Sequence, residues 1–424
     1  MVPLTRFLSC ITDVGKGGEP TLGSPLAIPP RSADVIRVTA LPYYPPIEAS
    51  ISGHRLKFVF GGAERLALLL DVISGAREAL QLCFYAFGTD AAGRQVADAL
   101  IAARDRGVRV TLLVDGFGTQ EQPDAMFVEM VEAGINFARI EPRYGRRYLL
   151  RNHQKMLIAD SKCAVIGGAN IEDAYFADDP AGHSWHDIFL RIKGDGVARL
   201  ADYHAELAAW VAAPNPGILS LVAILAKHSD RQGPLRWLYG GPSKRLNAIT
   251  RLLREGIARG AQIDMVQAYF APNWGFLRKL GSAATRGRFR LITASRSDNN
   301  ITIAAARHCY RRLLKRSAQI YEYLPEMLHM KLVVIDDVTY VGSANFDMRS
   351  LYLNTEIMLR IDDAGLADQM RRVIDLHCTH CAEVTRETHR AESSWLRRAR
   401  WLFGYLIVTA LDYRLTRNLN WKTD

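Results

Sequence analysis

A nine-residue stretch occurs twice in this chain. Asn152-His153-Gln154-Lys155-Met156-Leu157-Ile158-Ala159-Asp160 is matched by Leu328-His329-Met330-Lys331-Leu332-Val333-Val334-Ile335-Asp336. Each copy reads His-x-Lys, four mostly apolar residues, then Asp, and each runs on to a small-residue turn, Gly167-Gly168-Ala169-Asn170 and Gly342-Ser343-Ala344-Asn345. In a β-strand, residues i and i+2 share a face. The pattern therefore predicts two strands, one projecting His153 with Lys155 and the other His329 with Lys331. One such pair carries little information, but two in nearly the same register imply a duplicated unit.

The surrounding chain supports the duplication. Helical spacing over Ala63–Ala79 leads to an apolar strand at Leu80–Phe87, a helix over Gly93–Gly107 and a buried strand at Val108–Asp115. The second half repeats this with a helix over Asn247–Gly260, a strand over Ala261–Ala271 and another over Phe289–Ala294. Arg106-Gly107 and Arg286-Gly287 are offset by 180 residues and the His-x-Lys pairs by 176, which suggests one unit of roughly 160 residues used twice. Such strand–helix–strand units form a parallel or mixed sheet covered by helices on both faces. The predicted organisation is an irregular proline-rich leader at 1–53, a first lobe at 54–213, a connector at 214–246, a second lobe at 247–385 and a basic amphipathic tail at 386–424.

Two lysines and two asparagines converging on one point would make a cage of donors for phosphate oxygens. A neutral imidazole there can attack phosphorus, and a second, protonated one can deliver a proton to the departing alkoxide. No cofactor or metal is expected, because the lysines already neutralise a phosphodiester. Each histidine needs an acceptor on its other ring nitrogen, and Asp187 and Glu356, the acids that follow each asparagine, are the candidates. Burying two His-Lys pairs with no ligand would carry a heavy desolvation cost, which favours a functional reading of the duplicated set.

On these residues the chain resembles the phospholipase D superfamily, over about residues 58–385. Gly342-Ser343-Ala344-Asn345-Phe346-Asp347-Met348-Arg349-Ser350, Leu353-Asn354-Thr355-Glu356, Asp115-Gly116-Phe117-Gly118 and Arg296-Ser297-Asp298 look most like bacterial cardiolipin synthases, of the short type without N-terminal spanning helices. The resemblance implies two similar α/β/α lobes side by side, with the active site at their interface. It implies phosphatidyl transfer through a phosphohistidine, most simply from one phosphatidylglycerol to another. The catalytic set would be His153, Lys155, Asp160, His329, Lys331 and Asp336, with Asp160 and Asp336 largely architectural. Asn170, Asn345 and Ser343 would bind substrate, Asp187 and Glu356 would orient the histidines, and family precedent makes His153 the nucleophile. One departure stands out: six residues separate Asp160 from Gly167 but five separate Asp336 from Gly342, so Asn345 is expected to sit differently from Asn170.

The net charge of +10 predicts an anionic partner, a membrane surface or nucleic acid. The five arginines of 138–151 (Arg139, Arg143, Arg146, Arg147, Arg151) lie next to His153, where they could steer an anion. Against a nuclease stands the tail, in which Trp395–Lys422 carries six Lys/Arg against one Asp with Trp395, Trp401, Phe403, Tyr405, Leu406 and Trp421 between them. That composition suits a helix in the membrane interface, or alternatively a helix docked on the body. No apolar run reaches the ~18 residues a spanning helix needs. The expected setting is peripheral, on the cytoplasmic side of the inner membrane, with phospholipid substrates and no nucleic acid. The acceptor is left open (phosphatidylglycerol, phosphatidylethanolamine, glycerol or water). So are a headgroup hydrolase, a nuclease and a non-catalytic scaffold. His377-Cys378-Thr379-His380-Cys381 is the one local run whose residue types could take a soft metal.

Overall fold

The structure, a computed structural model, describes residues 41–119, 125–141, 150–243 and 246–411. Two eight-stranded mixed sheets form its frame. The first runs, edge to edge, Ile47–Ile51, His54–Val59, Phe189–Lys193, Cys163–Gly167, Met156–Ala159, Ala79–Phe84, Arg109–Asp115 and Asn136–Ile140. The second runs Leu235–Gly240, Glu356–Asp362, Val338–Gly342, Lys331–Ile335, Gln262–Gln267, Arg288–Ala294, Gln319–Tyr323 and Cys381–Glu383. The two orders match strand for strand, apart from an extra strand at one edge of each sheet. Both copies of the repeated stretch lie in the middle of their sheets, where strands covered on both faces must be apolar throughout; Met156, Leu157, Ile158, Leu332 and Val334 are fully buried.

Helices Gly62–Gly75 and Ala91–Asp105 cover the outer face of the first sheet through Leu69, Ile73, Val96 and Leu100. Helices Ala248–Arg259, Trp274–Arg286 and Asn300–Leu314 cover the second through Leu253, Leu280 and Leu313. A third apolar cluster joins the lobes, drawing Phe58, Ile158 and Leu207 from one and Val334, Ile361 and Ile374 from the other.

Several sequence expectations are corrected. Residues 214–246 are more than a connector: Ile218–His228 is a helix, and Leu235–Gly240 pairs antiparallel with Glu356–Asp362 as the edge strand of the second sheet. The last residues of the leader, Ile47–Ile51, likewise pair with His54–Val59. The extra residue before Gly167 does not displace Asn170 relative to Asn345. Met156 pairs with Ile166 just as Leu332 pairs with Val341. The difference is absorbed in the distal hairpin turn, where Asp160 and Ser161 both take φ 53°.

Asp160 and Asp336, grouped above with the catalytic residues, lie at that distal end too. The Asp160 carboxylate accepts from the backbone N–H groups of Arg77, Glu78 and Ala79 (2.9, 2.7 and 2.9 Å), and Asp336 from Ala261 and Gln262 (3.0 and 2.9 Å). Each closes the entry to the neighbouring strand. Seven residues from its histidine along an extended chain, neither reaches the reacting groups.

Candidate active site

The lobes are stitched together beside the two histidines. Met327–Leu328 pairs in parallel with Trp185–His186, and the His329 N–H donates to the His186 carbonyl at 2.8 Å. On the other side Asn152 bridges Thr355, and the His153 N–H donates to the Thr355 carbonyl at 2.9 Å. His186 immediately precedes Asp187, and Thr355 immediately precedes Glu356. Each histidine is therefore held against the strand that carries the other lobe's acid.

The side chains follow the backbone. His153 Nδ1 meets the Glu356 carboxylate oxygens at 3.0 and 3.1 Å, and His329 Nδ1 meets Asp187 Oδ2 at 2.6 Å. An Nδ1–H donated to a carboxylate leaves Nε2 with its lone pair free. The lysines sit beneath the rings, fully buried. Lys155 Nζ donates to the His153 carbonyl at 2.8 Å, and Lys331 Nζ contacts the His329 carbonyl and, at 2.8 Å, its Nδ1. Lys331 opens its strand, whereas His153, Lys155 and His329 lie just ahead of theirs, so the expected strands begin slightly late.

Electrostatics binds the four groups into one site. Burial and the charges of both lysines drive His153 far below its ordinary value, and burial with Lys331 takes His329 down to about 3. Both shifts favour the neutral imidazole. Burial also lowers Lys155 to about 7 and Lys331 to about 8. A bound anion would restore the charge that burial disfavours on both lysines, and a phosphodiester would supply it. Burial works against ionisation of Asp187, but Lys331 and the His329 hydrogen bond outweigh it and hold the carboxyl below its ordinary value.

Ser343 and the asparagines line the same region. The Ser343 hydroxyl donates to Glu356 and accepts from the Ile357 N–H at 3.0 Å, which makes it a support for the acid. Asn170 is buried, 3.4 Å from the Ala86 N–H and the Tyr175 hydroxyl, while the buried Oδ1 of Asn345 has no hydrogen-bond partner. A buried carbonyl oxygen left so is costly unless something occupies it. Of the arginine-rich run, Arg143, Arg146 and Arg147 lie outside the described residues; Arg151 stacks over the Phe117 ring at 4.1 Å.

Three features receive no role from the sequence. Arg65, 1% exposed, donates to the carbonyls of Phe60, Tyr175, Trp185 and Asp187, so it fixes the segment that presents Asp187. Its only signal is an arginine placed three residues before Leu68 on an apolar helix face. Asp115, pushed up to about 6 by burial, accepts from the N–H of Asn152 at 2.7 Å and anchors the approach to His153. Aromatic rings wall the histidines: Tyr85 lies 5.3 Å from His153, and Tyr175 and Trp185 lie 5.1 and 5.2 Å from His329. Among the described residues, no group of three or more His, Cys, Asp or Glu is placed to hold a metal ion. His377 instead meets His186 across the seam at 2.8 Å.

Comparison with known proteins gives the family. The family model described as "Cardiolipin synthase, PLD-like domain" matches residues 69–205 and 253–377. Cardiolipin synthase A of Pectobacterium carotovorum is 29% identical over 369 residues, covering 83% of this chain and 73% of its own. Cardiolipin synthase A of Pseudomonas aeruginosa is 26% identical over 365 residues, covering 84% and 72%. Among solved structures, phosphatidylserine synthase from Haemophilus influenzae superposes with a TM-score of 0.68 at 14% identity, over 88% of this chain and 96% of that one, a likeness of fold. The chain is a member of the phospholipase D superfamily, an enzyme of its cardiolipin synthase-like, phosphatidyltransferase branch.

Proposed function

We propose that the protein makes cardiolipin from two phosphatidylglycerol molecules through a phosphohistidine. The observation that carries this reading is the crossed pair of dyads: two imidazoles, each aligned by the carboxyl group of the opposite lobe, above two fully buried lysines. His153 Nε2 attacks the donor phosphorus and forms the P–N bond. His329 Nε2 takes a proton from water when the anionic phosphodiester binds beside it; the bond to the headgroup oxygen then breaks, that oxygen takes this proton, and glycerol leaves. His329 then accepts the proton of the second lipid's hydroxyl as its oxygen attacks phosphorus. The P–N electrons return to His153, and the diphosphatidyl product departs.

His153 suits the attacking role because its side chain is 14% exposed against 5% for His329. His329 suits the acid–base role because an ionised Asp187 stands 2.6 Å from its Nδ1, ready to stabilise an imidazolium. Lys155 and Lys331 bind the non-bridging oxygens, most strongly as charge gathers on them. Asn170 and Asn345 bind the same phosphate, and Ser343 acts through Glu356. The protein would work peripherally on the cytoplasmic side of the inner membrane; among the described residues no helix is long and apolar enough to cross a bilayer.

The test is to incubate purified protein with phosphatidylglycerol vesicles and separate the lipids. Cardiolipin with an equivalent of glycerol is expected. Phosphatidic acid would make the enzyme a hydrolase, and unchanged lipid would overturn the substrate assignment.

A further inference from the structure

The tail helix Trp395–Leu406 is docked on the body and still leaves an apolar face in water. Its inner side packs along the Asn300–Leu314 helix. Trp401 stacks on His389 (5.1 Å), Tyr405 stacks on His308 (4.8 Å), and the Tyr405 hydroxyl donates to the Pro272 carbonyl at 3.0 Å. Gly404 permits the closest approach, since a Cβ there would lie 3.0 Å from that of Ala304 and 3.1 Å from the Ile301 carbonyl oxygen. These contacts settle the docked half of the alternative drawn from the sequence.

The outer side contradicts what docking alone would produce. A surface helix normally turns charged and polar residues to solvent. Here Trp395 is 76% exposed, Leu396 61%, Leu402 43%, Phe403 58% and Leu406 47%. With Ala399, these positions fall in an arc of about 120° at 100° per residue. Arg400 borders the arc on one side and Arg398 on the other, so the face is apolar along its centre and cationic at both edges. Trp274, 61% exposed, extends it with the Arg312 guanidinium 4.0 Å above its ring; Tyr405 is bonded only two residues away, at Pro272.

We propose that this outer face is a docking surface for an anionic lipid bilayer. A contiguous apolar patch of this kind is unfavourable in water and marks an interaction site. Tryptophan and phenylalanine in the middle, with arginines at the rim whose stems can lie along the apolar layer and whose heads reach phosphates, match an interfacial helix. The charge at the rim complements an anionic leaflet, and the chain's +10 has the same sign.

The position of the surface matters as much as its chemistry. Ile301, under Gly404, is in the first turn of a helix that begins two residues after Asp298. The Asp298 carboxylate accepts from the Tyr269 hydroxyl at 3.0 Å, and the Tyr269 ring lies 6.4 Å from that of His329. The helix that carries the docking surface is thus packed on the segment that leads to the catalytic site, an arrangement that would let donor and acceptor lipids be drawn from one leaflet. The choice of lipid as substrate rests on the phosphatidyl-transfer reading; the binding surface does not.

The test substitutes only outward residues, Trp395→Gln, Leu396→Ser and Phe403→Ser together, in the full chain, leaving Trp401, Gly404 and Tyr405 in place. Co-sedimentation is measured with phosphatidylglycerol/phosphatidylethanolamine vesicles. The triple variant is expected to bind on the order of tenfold or more weakly, with unchanged thermal midpoint and unchanged turnover of a monomeric short-chain substrate. Arg398→Gln with Arg400→Gln should abolish the preference for anionic over phosphatidylcholine vesicles and flatten the salt dependence. Undiminished vesicle binding by the triple variant would overturn the proposal. So would a dimer of the wild type that the substitutions dissociate without affecting vesicle binding, which would assign the face to a second copy. If vesicle binding falls as expected while no cardiolipin is formed, the surface stands and the substrate assignment fails.

Discussion

The two halves of the site share a backbone and differ in their acids. In the first lobe the Gly167–Asn170 turn places Gly168 against Asp187, so closely that a Cβ would fall 2.5 Å from Asp187 Oδ2. In the second lobe the matching position is Ser343, and its hydroxyl donates to Glu356, an acid one methylene longer. Asp187 is held ionised, mainly by Lys331 and His329 working against its burial. Glu356 is pushed up to about 8 by burial, with Lys155 and Ser343 opposing the rise. Duplication has preserved the cage and let the two dyads drift apart, as expected when two similar groups must serve as nucleophile and acid in one reaction.

If the cage is the common part, the two lysines should cost alike. Lys155→Met and Lys331→Met are each expected to lower kcat by about 100–1000-fold, the range for loss of one donor to a developing oxyanion. Lys155→Met should not lower the thermal midpoint, because it removes a fully buried ammonium, whereas Lys331→Met should lower it, because the buried Asp187 carboxylate loses its main cationic support. A rise in KM with kcat intact would place the lysines in ground-state binding instead. The turns should differ. Gly168→Ala pushes directly on the Asp187 carboxylate and should cost turnover on the order of tenfold or more, whereas Ser343→Ala removes one hydrogen bond to a carboxyl that burial keeps protonated and should cost about tenfold or less. Equal losses in the two steady-state assays would mean that the turns support the acids equivalently.

The smallest effects lie in the pH dependence of stability, and they have opposite signs. Between about 4.5 and 8 the folded protein holds a proton on Glu356 that the unfolded chain has released, so Glu356 lowers stability as pH rises across that window. Glu356→Gln should therefore gain more, relative to wild type, at pH 8 than at pH 5. Asp187, shifted below its ordinary 3.8, contributes stability that is present above that value and lost as pH falls through its lower folded value. Asp187→Asn should lose more at pH 6 than at pH 3. Urea unfolding at these pH values reads both, and slopes of the same sign would remove the electrostatic distinction between the dyads.

Much of this was legible in the sequence because it is periodic or repeated. The two strands, their offset, and the convergence of His153, His329, Lys155 and Lys331 follow from one pattern occurring twice. What was not legible depends on contacts between distant segments. Nothing in the order of residues says that Asp187 serves His329 rather than His153, since the pairing arises only where Trp185–His186 meets Met327–Leu328. The edge strand Leu235–Gly240 was hidden between proline- and glycine-containing turns and reads too briefly to stand out. The sequence allows the tail to be either docked or membrane-bound, because a helical pattern that is apolar on both sides does not say which side is covered. Residues 1–40 and 412–424, including Arg414, Arg417, Trp421 and Lys422, lie outside the described structure.

The crossing of the dyads is tested most directly by trapping the phosphoenzyme. Wild type and four variants, His153→Ala, His329→Ala, Asp187→Asn and Glu356→Gln, are quenched during turnover of a phosphatidyl donor with an activated leaving group, and the adduct is located by peptide mass spectrometry. Asp187→Asn should behave as His329→Ala does, accumulating an adduct on His153 that is not passed on. Glu356→Gln should behave as His153→Ala does and form none. If Asp187→Asn instead matched His153→Ala, each acid would serve the histidine of its own lobe, and the crossed arrangement would be wrong.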